Sequence, residues 1–464
     1  MNAEYQRLEV EASVVESQMR ELATTVDLSS ATGHATVEQQ IAKLGRKLAS
    51  LRHGMALIRA VESLGMHEQE REFVKALAKK FHSQGTRTKV IHLPGDVTVK
   101  LQVTYYHRLK MPKAGQQGRR GLYPMLMLLG IAGHYTPGMR NQMAKASVLL
   151  GSYEEAAEML AEQGIDVSVN QLRNVTAGMG RMLQKRTTQG SLTVAGNVSG
   201  RRIVLGGGRV RLRERCRGKT KKGRKRFSPK WREPRLFIIY AVDDEGRMAK
   251  DFPPVIDGTL GSCDQLFALL LAYLRGLNLT EAARVLFVAD GAAWIWRRVP
   301  KLVKSLGLKD DQVQQLIDFW HAVEYLGKIA ESKSLEGSCK ARWVKTQKKR
   351  LWRGEIGTVV DEIKTLIGSR PTKAQETWLK YFVTHGIKNR RMDYSKSHTR
   401  QMPIGSGAIE SAVRRVINLR VKSNAVYWLR DNAETMIRLR AWVKAGRAEE
   451  LFQQTTCVTP ALAI

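Results

Sequence analysis

The sequence has few cysteines, a shortage of acidic residues and no long apolar stretch. The four cysteines, Cys216, Cys263, Cys339 and Cys457, are scattered and form no Cys-x-x-Cys pair. This spacing argues against a disulfide framework or a zinc ribbon and is typical of a reducing compartment. The longest apolar stretch, near Met125–Ala132, is far shorter than the ~20 residues that span a membrane. The N-terminal residues are acidic and amphipathic, without a signal-peptide pattern. We therefore expect a cytoplasmic protein.

Basic residues far outnumber acidic ones: 77 Lys and Arg against 43 Asp and Glu give 464 residues a net charge of +34. The positive charge is concentrated in Arg209–Arg235, Lys340–Arg353 and Arg414–Arg447, and the second cluster carries Trp343 and Trp352. A single basic cluster is often only a solvated face. Three clusters favour a polyanionic ligand, because each neutralised phosphate releases condensed counterions. The hydrophobic content of 43% is enough for folded cores, and about 150 residues per domain suggests about three domains.

The first 190 residues are expected to be mainly helical. Apolar spacing predicts a helical N-terminal arm over residues 1–88, which we expect to self-associate, and Lys89–Tyr106 alternates around Pro-Gly-Asp as a β-hairpin does. Further on, Ser152 and Ser168 each begin a capping box, and a glycine turn separates their helices. This is the pattern of a helix-turn-helix, although an ordinary helical hairpin is the alternative. The first interpretation exposes three candidate DNA-reading residues, Asn170, Gln171 and Arg173.

From residue 200 the pattern changes to strands. Four segments are strand-like, namely Arg202–Leu205, Leu236–Val242, Phe252–Ile256 and Arg284–Ala289. The last is wholly apolar and is typical of a buried central strand, and Gln265–Leu277 before it predicts a helix. Residues 298–400 and Ala408–Lys444 are expected to be mainly helical. Three strands, a helix and a buried strand predict an α/β fold with a mixed sheet.

Two carboxylates occupy positions suited to a metal site. Asp290 follows the buried strand directly, and ligands of open α/β sheets collect at the carboxyl ends of strands. Glu410 follows Ile404-Gly-Ser-Gly and enters a helix in its first turn, where the helix dipole favours an acid. Carboxylates converging on a sheet edge in a basic protein suggest phosphoryl transfer with two Mg²⁺ ions. The alternative is that Asp290 only caps the next helix and Glu410 is an ordinary first-turn charge.

Several long motifs occur in a fixed order. They are GGGRVRLRE, KWREPRLFIIY, VIDGTLG, LFVADGAAWIWRRVPKLVKSLGL, DFWHAVEYLGKIAE and MPIGSGAIESAVRRVINLRVKSNAVYWLRDNAETMIRLRAWVKAGR. Together they closely resemble the DDE transposases of bacterial insertion sequences. The nearest match is the ISKra-type branch, which is related to the Mutator-like group. The resemblance covers roughly residues 130–450.

The resemblance implies a ribonuclease H-like core, formed by residues 200–297 and 401–450, with a helical insertion at 298–400. A DNA-binding region at 89–190 would precede it. The family's second Asp falls on Asp290 and its Glu on Glu410, and these two would hold Mg²⁺. The Asp-x-x-His signature of the family falls on Asp318 and His321. A lone helical His such as His321 is more often structural, and the resemblance adds a supporting or DNA-end role as the alternative. In the family, water cuts the element end and the freed 3′-hydroxyl attacks target DNA.

One catalytic position departs from the family. The first Asp should stand at the end of the first strand, but the aligned residue is Gly206, which has no ligand atom. Asp243, Asp244 and Asp257 are the other acids at strand ends, and none is an obvious substitute. Three interpretations stay open. They are a transposase that binds DNA but cuts it weakly or not at all, an active transposase completed by another carboxylate or a partner subunit, and a non-catalytic regulator derived from a transposase.

The expected partners are double-stranded DNA, at element ends and target, and further copies of this chain. Oligomerisation follows from the resemblance alone, since two element ends must be brought together. The family's cysteine pair after the early hairpin is missing here, so no zinc is expected. Phosphate contacts are expected from the basic residues Arg209, Arg211, Lys219, Lys221, Lys222, Arg224, Lys225, Arg226, Arg414, Arg415, Arg420 and Lys422.

Overall fold

The computed structural model describes residues 2–25, 30–78, 80–108, 121–210, 212–213, 221, 223, 231–422 and 428–463. The chain divides into two compact units, Met1–Gln189 with Glu449–Ile464, and Gly190–Ala448. Within the described ranges no helix is both long and apolar enough to cross a membrane. Six basic-arm residues with an expected phosphate contact lie outside the described residues, namely Arg211, Lys219, Lys222, Arg224, Lys225 and Arg226.

The first unit is mainly helical, with one β-hairpin. Its helices are α1 (Ala3–Thr25), α2 (Ala31–Glu62), α3 (Leu64–Lys75), α4 (Pro124–Leu128), α5 (Pro137–Leu149), α6 (Tyr153–Glu162) and α7 (Val169–Thr188). Its strands are β1 (Phe81–Leu93), β2 (Val97–Arg108) and β3 (Gly121–Leu122). Leu8 of α1 and Leu51 of α2 are fully buried in one core with Ile91 and Val99 of the hairpin. The N-terminal helices are therefore packed on the hairpin.

The hairpin begins earlier than its sequence pattern indicates. Strand β1 starts at Phe81, so the helical prediction for residues 81–88 is wrong. Most side chains of this stretch are exposed, and for this reason it lacks the apolar alternation that identifies a half-buried strand. Backbone pairing with β2 holds it instead, with Thr86 opposite Thr104 and a register shift between Ser83 and Thr86.

Helices α5, α6 and α7 follow the hairpin. The predicted capping box at the start of α7 is confirmed: Ser168 Oγ accepts the Gln171 N–H at 3.3 Å, and Gln171 Oε1 accepts the Ser168 N–H at 2.7 Å. Gly164 begins the turn between α6 and α7 with a φ of 71°, a left-handed conformation that favours glycine. The helix–turn–helix shape is therefore present, and its DNA-reading role stays a prediction.

The second unit is built on a five-stranded sheet. Its strands are β4 (Arg202–Arg209), β7 (Arg235–Val242), β8 (Val255–Thr259), β9 (Arg284–Ala289) and β10 (Val313–Ile317), while β5 (Leu212–Arg213) and β6 (Trp231–Arg232) pair separately. Its helices are α8 (Cys263–Gly276), α9 (Ala293–Trp296), α10 (Val299–Leu306), α11 (Phe319–Ser332), α12 (Gly337–Trp352), α13 (Ile356–Ile367), α14 (Lys373–Phe382), α15 (Tyr394–Thr399), α16 (Gly407–Val413) and α17 (Arg430–Lys444). Single π-helical turns cover Val383–Lys388 and Arg414–Asn418. The chain then returns to the first unit with α18 (Ala448–Thr456) and α19 (Pro460–Ala463).

The order of the strands is β10-β9-β4-β7-β8. Strands β4, β9 and β10 are parallel, whereas β7 is antiparallel to both β4 and β8. A central strand flanked by an antiparallel meander on one side and parallel strands on the other is the ribonuclease H-like arrangement. Helices α11 to α15 are inserted between β10 and α16. The predicted fold class, an α/β mixed sheet with a helical insertion, is thereby confirmed.

Two strand predictions need correction. The third strand is Val255–Thr259 and not Phe252–Ile256, so Asp257 lies inside it. Strand β10 falls in the span 298–400 that was expected to be helical. It is an edge strand with the sequence VQQLI, and its first three residues are only half-buried, so it has no continuous apolar stretch to identify it.

A buried ion pair joins the sheet edge to the last core helix. The Asp257 carboxylate on β8 is fully buried and accepts hydrogen bonds from Arg438 Nη2 at 2.9 Å, Tyr273 Oη at 2.7 Å and the Gly258 N–H at 2.8 Å. Burial alone would lower the pKa of Arg438, but the charge of Asp257 outweighs it and raises that pKa above its usual value. Trp442 Nε1 donates to Tyr273 Oη at 3.0 Å and closes the network.

We expect Asp257→Ala to lower the free energy of unfolding by about 3–5 kcal/mol, because it leaves the Arg438 charge buried without its partner. Urea denaturation measures the change. Asp251→Ala is the matched control, since it breaks a surface pair with Arg201 (2.6 Å) and should change stability little. Equal effects of the two substitutions would contradict this assignment.

Candidate functional site

Two acidic residues leave the sheet side by side. Strands β9 and β10 are parallel, with Ile317 opposite Ala289, so that Asp318 and Asp290 follow their strands at the same level. The Asp318 N–H donates to the Ala289 carbonyl at 2.9 Å. The predicted position of Asp290 at the carboxyl end of a buried strand is confirmed. The sequence did not indicate that Asp318 follows the neighbouring strand, because β10 was missed.

The carboxylate of Asp318 joins three segments of the chain. It caps α11, with Oδ1 accepting the His321 N–H at 2.9 Å, and its Oδ2 accepts the Ser406 N–H. The Phe319 N–H adds a bond to the Ile404 carbonyl at 3.0 Å. Asp318 is 1% exposed, and burial by itself would raise its pKa, but the bonds from His321 and Ser406 hold the pKa below its usual value. The ionised carboxylate thus fastens the loop before α16 to the end of β10.

This fastening brings Glu410 to the sheet edge. Asp318, His321 and Glu410 each offer one ligand atom, and these atoms all lie within 4.8 Å of one another. Asp318 is buried, His321 is half-buried and Glu410 is exposed, so the cluster opens to solvent on the Glu410 side. The contact between His321 Nδ1 and Asp318 Oδ1 (3.6 Å) raises the pKa of His321 against the effect of burial, and the charge of Asp290 contributes.

Asp290 itself makes local contacts. Its Oδ1 accepts the Ala292 N–H at 3.0 Å, and its carbonyl accepts Trp296 Nε1 at 2.7 Å. The bond from the Ala292 N–H is the kind expected if Asp290 only caps the next helix. Asp290 is not one of the three residues whose ligand atoms lie together, and its charge raises the pKa of His321 less than Asp318 and Glu324 do.

Gly206 occupies a closed position. It is buried in β4, paired with Val288 of β9 and Ile238 of β7. A Cβ atom there would lie 3.3 Å from Ile238 Cγ2 and 3.4 Å from Ile409 Cβ, and at Gly208 it would lie 3.0 Å from Ile409 Cγ1. Glycine in a strand allows another element to come close, and here α16 does so. The position at which the sequence resemblance would place a first Asp is filled by packing.

The other acids at strand ends do not substitute for it. Asp243 follows β7, which runs opposite to β4, so it lies at the other end of the sheet, where its carbonyl and Asp244 both contact Arg202. Asp257 is engaged by Arg438 and Tyr273. Because Gly206 offers no ligand atom, the residues do not fit a bridged pair of ions. Two carboxylates and an imidazole fit one divalent ion, and such a set suits Mn²⁺ as well as Mg²⁺.

The predicted DNA-contacting residues differ in exposure. Asn170, Gln171 and Arg173 are exposed at the start of α7, although Gln171 is held in the capping box and the guanidinium of Arg173 lies 5.6 Å from the ring centroid of Tyr153. Lys221, Arg414 and Lys422 are exposed as expected.

Three arginines of that set have partners within the protein. Arg209 is 49% exposed and pairs with Glu233 at 2.9 Å, and Arg415 Nη1 donates to the Lys444 carbonyl at 3.1 Å. Arg420 is 5% exposed, with its guanidinium 5.3 Å from the ring centroid of Trp428. The expected phosphate contact of Arg420 therefore needs correction, because burial leaves it almost no surface to offer.

Sequence reasoning missed a buried aromatic group beside Asp290. His385 lies in the π-helical turn, and its ring centroid is 5.0 Å from that of Tyr381, whose own ring contacts the backbone of Gly291 closely. Burial lowers the pKa of His385 to about 4, so the ring is neutral near pH 7. A lone His and a lone Tyr in a helical stretch carry no spacing signal that could have found them.

Comparison with known proteins adds little. No protein-family profile matches the chain, and no curated protein sequence matches it. Among solved structures, the chain is similar to the Drosophila P element transposase strand transfer complex, with 10% identity and a TM-score of 0.25, over 76% of this chain and 85% of that one. A likeness of this size carries no argument, so the fold assignment rests on the strand order.

We expect Glu410→Gln to weaken Mn²⁺ binding at least about tenfold, because it removes one of three ligands. Isothermal titration or the electron paramagnetic resonance signal of free Mn²⁺ measures the affinity. Glu324→Gln is the matched control, since Glu324 is exposed on α11 outside the cluster and changes the local charge equally. If both variants bind Mn²⁺ like the unaltered protein, the ion does not bind at this cluster.

Proposed function

We propose that this chain is a DNA-binding protein of the DDE transposase type, whose cleavage and strand transfer at insertion-sequence ends are weakened by Gly206. The observation that carries the proposal is the meeting of Asp318, His321 and Glu410 beside Asp290 at one edge of a ribonuclease H-like sheet. Fold alone does not define function, but this edge is where ligands of open sheets collect. The sequence motifs add the insertion-sequence assignment as a resemblance.

The chain's own residues have distinct parts in this proposal. Asp318 positions the loop before α16 and thereby Glu410, which faces solvent and would hold a divalent ion together with Asp318 and His321. Asp290 adds negative charge from the neighbouring strand. A divalent ion in such a site supplies activation of an oxygen nucleophile and stabilisation of the leaving oxygen. The surrounding basic side chains would then position the phosphodiester electrostatically.

Double-stranded DNA is the proposed partner. Arg414 and Lys422 are exposed in the segment that follows Glu410, and Lys221 in the basic arm is exposed as well. Lys and Arg contacts of this kind position the DNA backbone without reading its sequence. We further propose that the chain acts as a homo-oligomer on the DNA of a bacterial cytoplasm, since both element ends must be held together.

A second candidate is a non-catalytic DNA-binding regulator derived from a transposase. The packing of Ile409 against Gly206 and Gly208 favours it, because α16 lies where a carboxylate side chain on β4 would need space. A protein that keeps its basic surface and loses a bridging carboxylate retains binding while losing rate. The two candidate functions differ only in whether the protein still cleaves DNA.

Binding is tested on the DNA that flanks the gene, by fluorescence anisotropy over a series of salt concentrations. We expect the affinity to fall steeply as salt rises, and Arg414→Gln to weaken binding while reducing the salt slope by about one. Lys75→Gln is the matched control, because Lys75 pairs with Glu72 on the exposed face of α3 in the other unit. Binding that is absent at low salt, or independent of salt, would refute the proposal.

Cleavage is tested with Gly206→Asp, alone and combined with Ile409→Ala. We expect the double variant to gain Mg²⁺- or Mn²⁺-dependent nicking of the flanking DNA, because the alanine opens the space that Ile409 fills beside position 206. The single variant should gain less and unfold at a lower temperature. Gly207→Asp is the matched control, since its Cβ would meet Ile295 at 3.7 Å on the opposite face and should give no nicking.

No gain in the folded double variant would favour the regulator over the weakened transposase. Nicking by the unaltered protein that is lost in Asp290→Ala would show instead that the site is complete without position 206.

A further inference from the structure

An exposed tryptophan stands next to the carboxylate cluster. Trp320 lies in the first turn of α11 between the capping residue Asp318 and His321, and it is 55% exposed. Among the tryptophans whose side chains the structure describes, only Trp352 is also exposed, at 42%. Exposure of a ring this large leaves apolar surface in water, and a ligand that covers the ring gains the free energy of burying that surface.

Trp320 is held in place by its surroundings. Its ring packs edge-on against the buried Phe319, with the centroids 5.4 Å apart. A Cβ atom at Gly405 would lie 3.2 Å from Trp320 Cδ1, so the indole rests on the bare backbone of the loop that leads to Glu410. The loop before α16, which is hydrogen-bonded to Asp318, therefore also holds the Trp320 ring in place. A rigid aromatic platform loses little entropy when a ligand stacks on it.

On the side of α12, the charge beside this ring is positive. Lys348 of α12 places its Nζ 4.3 Å from the Trp320 ring centroid. Helix α12 contains no acidic residue, and Arg342, Lys345 and Lys349 are exposed along it. An apolar ring with a lysine beside it matches a nucleotide, which has a flat base and an anionic phosphate.

We propose that Trp320 stacks an unpaired nucleobase of the bound DNA, with Lys348 neutralising the adjacent phosphate. The proposal rests on the proposed DNA-binding function and specifies the form of its substrate. A base inside a duplex presents only its edges to the grooves, so its face becomes available only when it is unpaired, at an end or after extrusion from the stack. Because Trp320 lies between Asp318 and His321 in the first turn of α11, a nucleotide stacked on its ring would lie beside the cluster.

The test compares two DNA probes, an intact duplex and the same duplex with one unpaired 2-aminopurine. Trp320→Ala should weaken binding of the second probe about tenfold or more, leaving the intact duplex within about twofold, since stacking and charge contribute separately. The fluorescence of 2-aminopurine should be quenched by the unaltered protein and recover with Trp320→Ala. Trp320→Phe, which keeps a smaller ring, should lose an intermediate amount and replaces the alanine variant if that one is unstable.

Trp352→Ala is the matched control, because it removes the other exposed indole that packs on Phe319 (5.8 Å). It should affect both probes equally or neither. The proposal is overturned if Trp320→Ala and Trp352→Ala act alike, or if Trp320→Ala leaves the quenching unchanged. It is also overturned if Trp320→Ala converts a dimer to a monomer in sedimentation, since a second copy then covers the ring. Failure of the proposed function is distinct, because neither probe would then bind.

Discussion

The candidate site depends on the hydrogen bond that the Asp318 carboxylate accepts from the Ser406 N–H. Without it, Glu410 would be held near the sheet by the Phe319–Ile404 backbone bond and the apolar packing of α16 on β4. The low pKa of Asp318 keeps the acceptor ionised, and a charged acceptor makes the stronger hydrogen bond. Three features converge on this one carboxylate: the end of an edge strand, the start of α11 and the loop before Glu410. The Glu410 carboxylate and the His321 imidazole are therefore held close together by fixed elements of the fold.

The sequence predicted the parts of the site that depend on local pattern. Asp290 was found because a wholly apolar strand precedes it, and Glu410 because a glycine-rich entry precedes its helix. Asp318 was reached only through the family resemblance, since β10 is a half-exposed edge strand whose polar residues hide it. The donor to Asp318 is the backbone N–H of Ser406, 88 residues away. Because every residue except proline has a backbone N–H, the sequence does not indicate which one donates. The sequence also did not predict that Trp320 is exposed or that Arg420 is buried. Counting charged and aromatic residues does not indicate whether a side chain points to solvent or to the core.

The glycines of β4 give the site its present form. At 206 and 208 they let Ile409 lie almost on the strand, and so α16 sits closer than it could beside any larger residue. A carboxylate side chain at 206 would hold this helix farther out, or turn it. The buried Asp257–Arg438 pair, by contrast, shows how this fold retains an acid when that acid has a fixed partner. A carboxylate at 206 without a bound cation would have had none.

The separation between Asp318 and Ser406 also bears on biogenesis. On the ribosome, α11 to α15 emerge and begin to fold before the loop that completes the cluster has been synthesised. Until then the Asp318 carboxylate has only its helix cap to bind, and no ligand set exists. A chain interrupted between α12 and Glu410 would thus carry the basic surface of α12 without the acidic cluster. Translation itself therefore separates the formation of the two features in time.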